Sequence, residues 1–253
     1  CRAVAEQLFD ELTGNRYGIG GASSSEKPRI SRERYGLDRT LSRELEEYKD
    51  ILKNYYREMF VPTVGAVVMN CNPFTLGHRY LVEKALEQCD FLVIFVVEED
   101  KSVFPFEDRL KLVDEGVKDL SNVTVIPSGK FIISSVTFSE YFNKSELQDR
   151  TVDASLDVSV FAREIAPCLH IVKRFAGSEP FDSVTKQYND TMRQILPEYG
   201  IEFTEIPRAE TDGEAISASR VRQMILDGNL EGTKRLVPLS TYNYLVGLFG
   251  NMK

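Results

Sequence analysis

Two rhythms alternate along most of the chain. Short unbroken apolar runs recur at VGAVVM (64–69), FLVIFVV (91–97), NVTVI (122–126), HIVKRFAG (170–177) and IEFTEI (201–206). Between them, apolar residues return every three or four positions, over 77–89, 106–119, 182–196, 217–227 and 238–248, and more briefly over 137–147 and 157–165. The runs read as strands, the first two buried on both faces, and the intervals read as helices. Strands alternating with helices predict a parallel sheet with right-handed crossovers. The expected fold is therefore α/β, a Rossmann-like doubly wound parallel sheet. Such sheets bind ligands at the carboxyl ends of their strands, where the strand order reverses, so the turn after the first strand is the first place to look.

The first sixty residues follow another pattern. Residues 2–12 suit a helix, and the Gly- and Ser-rich run 14–31 suits a linker. That run resembles a phosphate loop only superficially, because no predicted strand precedes it and the Walker pattern is absent. Residues 40–60 predict a charged helix with Leu41, Leu45, Tyr48, Leu52, Tyr55 and Met59 on one stripe, fit to pack on the main domain or on a partner subunit. The expected division is an N-terminal helical and linker segment over 1–60 and a catalytic domain over 63–250.

Composition narrows the function. A net charge of −8 argues against a general binder of nucleic acid or membrane surface. No apolar stretch is long enough to span a bilayer, and no signal peptide is visible. The chain opens on Cys1 rather than Met, which fits a trimmed chain or a fragment. Its four cysteines, Cys1, Cys71, Cys89 and Cys168, form no CxxC pair and suit incidental thiols in a reducing cytoplasm. No carboxylate cluster calls for a dedicated protein metal site.

Two constellations carry chemistry. Asn70, Asn72, Pro73, Phe74, Thr75, Gly77 and His78 lie between the first strand and its helix. A helix start favours an anion, Gly77 admits close approach of a ligand, and Thr75 and His78 can face one phosphate across a single turn. Spacing alone fits a capped helix start equally well. The second constellation is ISASRVRQ (216–223), in which Ser217 and Ser219 are N-cap types. Ser219 and Arg222 there share a face that offers a hydroxyl and a guanidinium. Seen alone it fits an ordinary capped amphipathic helix.

Weaker candidates surround these. Gly177, Ser178 and Glu179 follow the fourth strand and suit contacts to adenine or ribose, or a plain turn. Lys101 and Arg109 flank the loop after the second strand, where exposed basic residues are usually just solvated. His170 at the start of its strand reads as structural. Phe104, Phe106, Phe131, Phe138, Tyr141 and Phe142 read as core, with an apolar pocket as the alternative.

The pairing of Thr75-Leu76-Gly77-His78 with Ile216-Ser217-Ala218-Ser219-Arg220-Val221-Arg222 resembles the TxGH and ISxSxxR motifs of the nucleotidylyltransferase superfamily. Four longer stretches, VMNCNPFTLGHRYLVEKAL (68–86), FPFEDRLKLV (104–113), RFAGSEPFDSVTKQYN (174–189) and PRAETDGEAISASRVRQMI (207–225), resemble the citrate lyase ligase family. The similarity runs from about residue 63 to about residue 248. That family carries an acetyltransferase-like domain ahead of the nucleotide domain, for which residues 1–60 are too short. The resemblance implies that ATP and acetate give acetyl-adenylate and pyrophosphate. The acetyl group then passes to a prosthetic-group thiol on the acyl carrier subunit of citrate lyase. It implies that His78 and Thr75 meet the α- and β-phosphates and that Arg222 and Ser219 meet the β- and γ-phosphates. The resemblance further implies that Asn70, Asn72, Phe74, Gly77, Gly177, Glu179 and Ser217 line the nucleotide, that Mg2+ accompanies it, and that the second substrate lies by the loop that Lys101 and Arg109 flank. The alternative within the superfamily is nucleotidyl transfer to a phosphorylated metabolite, and a non-catalytic nucleotide-sensing module is a third reading.

Overall fold

The apolar run Val64–Met69 (β1) forms the centre of a five-stranded parallel sheet, as its burial on both faces requires. Beside it on one side lie Phe91–Val96 (β2) and then Val123–Pro127 (β3). On the other lie Ile171–Gly177 (β4) and then Glu202–Ile206 (β5), giving the order β3-β2-β1-β4-β5. The chain therefore winds outward from β1 to β3 and crosses back to β4, and the order reverses between β1 and β4. The computed structural model describes residues 39–56, 61–98, 102–134, 137–138, 153–179 and 182–250. The expected helix over 2–12, the run 14–31 and all but the start of the expected helix over 137–147 lie outside them.

Helices cover both faces. Leu76–Leu86 (α2) and Phe106–Val117 (α3) pack Val82, Ala85, Leu112 and Val113 against Val67, Ile94 and Phe175. The opposite face is covered by Arg39–Tyr56 (α1), Ser155–Val160 (α4) and Ser183–Ile195 (α5), whose Leu45, Leu52, Val158, Val184 and Met192 pack against Ala66, Val93 and Phe95. α4 runs on through a π-helical turn, Phe161–Ile165, into a 3-10 turn, Ala166–Leu169. Leu41, Leu45, Tyr48, Leu52 and Tyr55 of the predicted stripe thus pack on the chain's own sheet, and Met59 lies outside the described residues. Leu45 and Leu52 are fully buried there, contributing about 1.5–3 kcal/mol each relative to exposure. The Tyr48 hydroxyl donates to the Pro127 carbonyl at 2.7 Å and fixes the helix at the end of β3.

A third, smaller core sits at the carboxyl edge. Val103 and Phe104 meet Val221 of Ala218–Leu226 (α6), Leu236, and Leu245 and Phe249 of Leu239–Phe249 (α7). Between β5 and α6 lies a short antiparallel hairpin, Glu210–Thr211 with Glu214–Ala215, absent from the expected elements because each arm is only two residues long. His170 differs from expectation: it is exposed, with a left-handed backbone (φ 52°), and caps the preceding turn rather than opening the strand. No described helix is long and apolar enough to cross a membrane.

Candidate nucleotide site

The turn after β1 and the start of α2 form a closed local unit. Thr75 is the N-cap: its hydroxyl accepts the His78 N–H at 3.3 Å, and its own N–H donates to His78 Nδ1 at 3.0 Å. This reciprocal capping arrangement is usually made with Glu or Gln at the third helical position, and here histidine takes that place. Because Nδ1 accepts a hydrogen bond, the neutral ring carries its proton on Nε2. Burial and the nearby Arg208 cation push the His78 pKa down to about 4, so the ring is neutral at physiological pH. It is a neutral donor whose tautomer is set by the helix cap itself. Of the first three helical N–H groups, two are already occupied, since Leu76 donates to the Leu236 carbonyl at 2.8 Å. The anion-binding capacity of this helix start therefore resides more in His78 than in a bare row of amides.

Several expected contacts are supporting ones. Phe74 is fully buried, stacks on His78 with ring centroids 5.7 Å apart, and lies against Gly116, where an added Cβ would fall 2.4 Å from the ring. It therefore floors the site rather than facing a ligand. Gly77 likewise has a different neighbour from the expected one. A Cβ there would lie 2.6 Å from the Ile216 carbonyl oxygen, so the missing side chain lets the backbone of the second motif pack on the first. Ser217 caps α6, accepting the Arg220 N–H at 3.2 Å. Arg222 Nη1 reaches back to donate to the Asn72 carbonyl at 2.6 Å, and Nη2 lies 3.4 Å from the Ser219 hydroxyl. The two motifs are thus joined at two points.

Asn72 also accepts the Phe104 N–H at 3.1 Å on its side-chain oxygen. Asn70 is held by Ser102 at 2.9 Å and by Arg109. Arg109 is not a solvated loop residue. It is fully buried and donates to the Asn70 carbonyl (2.8 Å), the Asn70 side-chain oxygen (2.9 Å), the Val97 carbonyl (2.8 Å) and the Phe104 carbonyl (2.9 Å). It ties the carboxyl ends of β1 and β2 to their loops. Lys101 lies outside the described residues, as do Tyr141 and Phe142. Phe104, Phe131 and Phe138 are core, and Phe106 is partly buried against it.

Across the switch point, Gly177 ends β4 and has open space where a side chain would be. Its carbonyl accepts from buried Asn189 at 3.1 Å. Glu179 accepts the Asp182 N–H at 3.1 Å and forms an ion pair with Arg208, which also donates to the Ser178 carbonyl at 2.8 Å. The sequence reading missed Arg208 as a site residue. Its position two residues beyond the carboxyl end of β5 was the available signal, and its charge reaches His78. His170 lies elsewhere, at the amino end of β4, in a surface cleft of about 420 Å³ with Lys49, Lys53 and Tyr56.

A neutral histidine on a capped helix start, flanked by two arginines at the switch point of a β3-β2-β1-β4-β5 sheet, belongs to the α/β nucleotidylyltransferase fold. The solved structure of Thermotoga maritima TmcAL bound with alpha-thio ATP has the same fold, with a TM-score of 0.51 at 15% identity over 75% of this chain and 56% of that one. Residues 64–245 match the citrate lyase ligase C-terminal domain, and the chain belongs to that family. Citrate (pro-3S)-lyase ligase of Escherichia coli (strain K12) is 44% identical over 190 residues, 73% of this chain and 54% of that one. The Klebsiella pneumoniae enzyme is 39% identical over 213 residues, 81% and 62% of the two chains. The chain thus spans somewhat over half the length of these relatives.

Proposed function

We propose that this chain activates acetate with ATP, forming acetyl-AMP and pyrophosphate. It then passes the acetyl group to the prosthetic-group thiol of the acyl carrier subunit of citrate lyase, releasing AMP. The observation that carries the reading is the joining of the two motifs: the Thr75–His78 cap packs through Gly77 on Ile216, and Arg222 binds back to Asn72. The family relationship supplies the choice of acid and acceptor. The free thiols Cys71, Cys89 and Cys168 fit work in a reducing cytoplasm.

The acid is already ionised at pH 7, so attack on the α-phosphorus needs no general base. One carboxylate oxygen bonds to phosphorus, and the bond to the bridging oxygen breaks as pyrophosphate leaves in line. Catalysis is then alignment and neutralisation of charge that grows on the phosphates. His78 donates from Nε2 to an α- or β-phosphate oxygen while its Nδ1 stays anchored, and the Thr75 hydroxyl supports the same phosphates. Arg222 and Ser219 receive the β- and γ-phosphates. Each such donor is worth about 2.7–4 kcal/mol in the transition state. Asn70, Asn72, Gly177, Glu179 and Ser217 shape the walls, with Arg208 fixing the 177–179 turn. Mg2+ would accompany the triphosphate and supply positive charge against its phosphates, while His78, Arg222 and Ser219 hold the phosphates themselves. The described residues gather no trio of metal-ligating side chains, and the donors around His78 suit phosphates rather than a bare cation.

The test is pyrophosphate release from MgATP with acetate, alongside recovery of activity by deacetylated citrate lyase. Release with a phosphate ester and indifference to acetate would sink the proposal in favour of plain nucleotidyl transfer.

A further inference from the structure

The carboxyl edge of the sheet carries a cation that the phosphate grip described above does not use. Arg208 lies two residues beyond β5, the outer strand on its side, and its guanidinium reaches inward to the end of β4. Nε donates to the Ser178 carbonyl at 2.8 Å, and Nη2 forms the ion pair with Glu179, whose own side chain is only 9% exposed. Ser178 is in turn tied to β5, donating its N–H to the Ile206 carbonyl at 2.9 Å. Two of the three guanidinium nitrogens are thus spent on the turn that follows β4. Nη1 has no acceptor among the described residues, and the Arg208 side chain is 30% exposed. A planar fork held along one side keeps little freedom, so its remaining edge is a preorganised charged donor.

The sheet sets what that edge is near. β4 is the immediate neighbour of β1, with Phe175 level with Val67, so the turn over 177–179 rises beside the turn over 70–78. The Arg208 charge is felt at His78, across the switch point. Charge is therefore divided around the site. His78 is neutral and supplies a donor without a charge. Arg222 belongs to the second motif, is joined to Asn72, and takes the phosphates that leave. Arg208 is joined instead to the turn on the adenine and ribose side.

We propose that Arg208 Nη1 binds the α-phosphate, the one that stays on the nucleotide, and that Arg208 is a catalytic residue of the acyl-transfer step. The proposal rests on the adenylate-forming reading above and deepens it. When the acid attacks the α-phosphorus, the new charge departs with pyrophosphate, toward Arg222. In the second step the thiol sulfur bonds to the acyl carbon as its proton passes to water. The bond from that carbon to the phosphate oxygen breaks, its electron pair stays on the oxygen, and AMP leaves as a dianion. The charge of this step appears on the α-phosphate after the pyrophosphate has gone. A fixed guanidinium edge there stabilises the leaving group where it forms. Between the two steps the same contact retains the acyl-adenylate, a monoanion.

The experiment compares AMP with adenosine, which lacks only the phosphate, by isothermal titration calorimetry on the unaltered full chain and on Arg208→Gln. The unaltered protein should bind AMP at least tenfold more tightly than adenosine, a charged hydrogen bond supplying about 10- to 100-fold. In Arg208→Gln that ratio should fall at least fivefold. A smaller fall overturns the proposal, and a role confined to the 177–179 turn gives that result, because it lowers both affinities together. Equal binding of AMP and adenosine by the unaltered protein also overturns it. From pre-formed acetyl-AMP, transfer to deacetylated citrate lyase should slow at least tenfold in Arg208→Gln, and by more than pyrophosphate release at saturating MgATP and acetate. Equal slowing of the two overturns the assignment to the second step. If Arg208→Gln does not unfold cooperatively, Arg208→Lys replaces it under the same criteria, since one ammonium cannot hold Ser178, Glu179 and a phosphate together. The binding comparison needs neither acetate nor carrier. A collapsed ratio in a protein indifferent to acetate therefore keeps Arg208 at the phosphate and refutes the acid-activating reading. Acetate turnover with an unmoved ratio refutes only the part given to Arg208.

Discussion

Replacing Gly77 with alanine separates two roles for this glycine. If its purpose were to admit a ligand, the added methyl group would occupy space that is vacant without nucleotide, and the folded protein would tolerate it. Alanine would then stabilise the chain by up to about 1 kcal/mol, through helix propensity and a less flexible unfolded state. The structure dictates the opposite sign. The new Cβ would lie 2.6 Å from the Ile216 carbonyl oxygen, 3.4 Å from Ile216 Cβ and 3.4 Å from the Thr75 hydroxyl. The nearest atom is backbone and cannot swing aside. The two segments must part by roughly 0.4–0.8 Å to restore an acceptable contact, an overpacking cost of about 1–3 kcal/mol. Set against the propensity gain, the net loss is about 0.5–2 kcal/mol, which for a domain of this size lowers Tm by a few degrees, at about 2–4 °C per kcal/mol. The same displacement moves Ser219 and Arg222 away from His78. Misplacements near 1 Å cost on the order of 100-fold, so kcat/KM for ATP should fall at least tenfold. Differential scanning calorimetry and the pyrophosphate assay on Gly77→Ala read both effects. A raised Tm with activity within twofold would refute the packing role.

Further outcomes follow from the same geometry. The ring of His78 should titrate near pH 4 in the ligand-free protein when followed by NMR, and a midpoint of 6 or above would contradict its burial beside Arg208. Since this folded-state pKa lies below the ordinary value of 6.5, the folded state binds a proton less readily than the unfolded chain. The associated stability is therefore full above about pH 6.5 and is lost as pH falls toward 4, which urea titrations across that window would register. Arg208→Gln should raise the His78 pKa by removing a neighbouring cation and should weaken ATP binding by loosening the 177–179 turn, both measurable on one sample. Arg222→Lys should lower kcat/KM for ATP about tenfold or more, because lysine cannot bind the Asn72 carbonyl and a phosphate through one planar fork. Phe74→Ala should cost about 3–5 kcal/mol in urea unfolding, and a loss under 1 kcal/mol would show that its pocket against Gly116 collapses freely.

The strands and most helices were legible because their signal is local. VGAVVM and FLVIFVV are continuous apolar runs, and Thr75 and Ser217 are cap types placed just before periodic stretches. The paired motifs were legible for the same reason. What was not legible depends on partners far away in the chain. Arg109 looked like a solvated loop cation, and only the folded chain brings the Asn70, Val97 and Phe104 carbonyls around it. Gly77 looked like a ligand-facing glycine, because Ile216 is its neighbour only in three dimensions. Arg208 carried no motif at all, and Phe74 could not be assigned a depth. The buried hydrogen bond from Tyr188 to Asp157 likewise joins α5 to α4, two helices that β4 separates in the sequence.

The bond from Arg222 to Asn72 closes a loop of 150 residues, and the cap of α2 is completed by the Leu236 carbonyl. Neither can exist until nearly the whole domain has left the ribosome. β1, α2 and β2 can collapse early on their local apolar contacts, but the contacts that join the two motifs are assembled last. If Arg222 grips the triphosphate as proposed, a nascent chain is mute toward ATP until Arg222 arrives. Nucleotide binding by this protein should appear late and abruptly during synthesis, and chains cut short before residue 222 should accumulate without drawing on the cell's ATP.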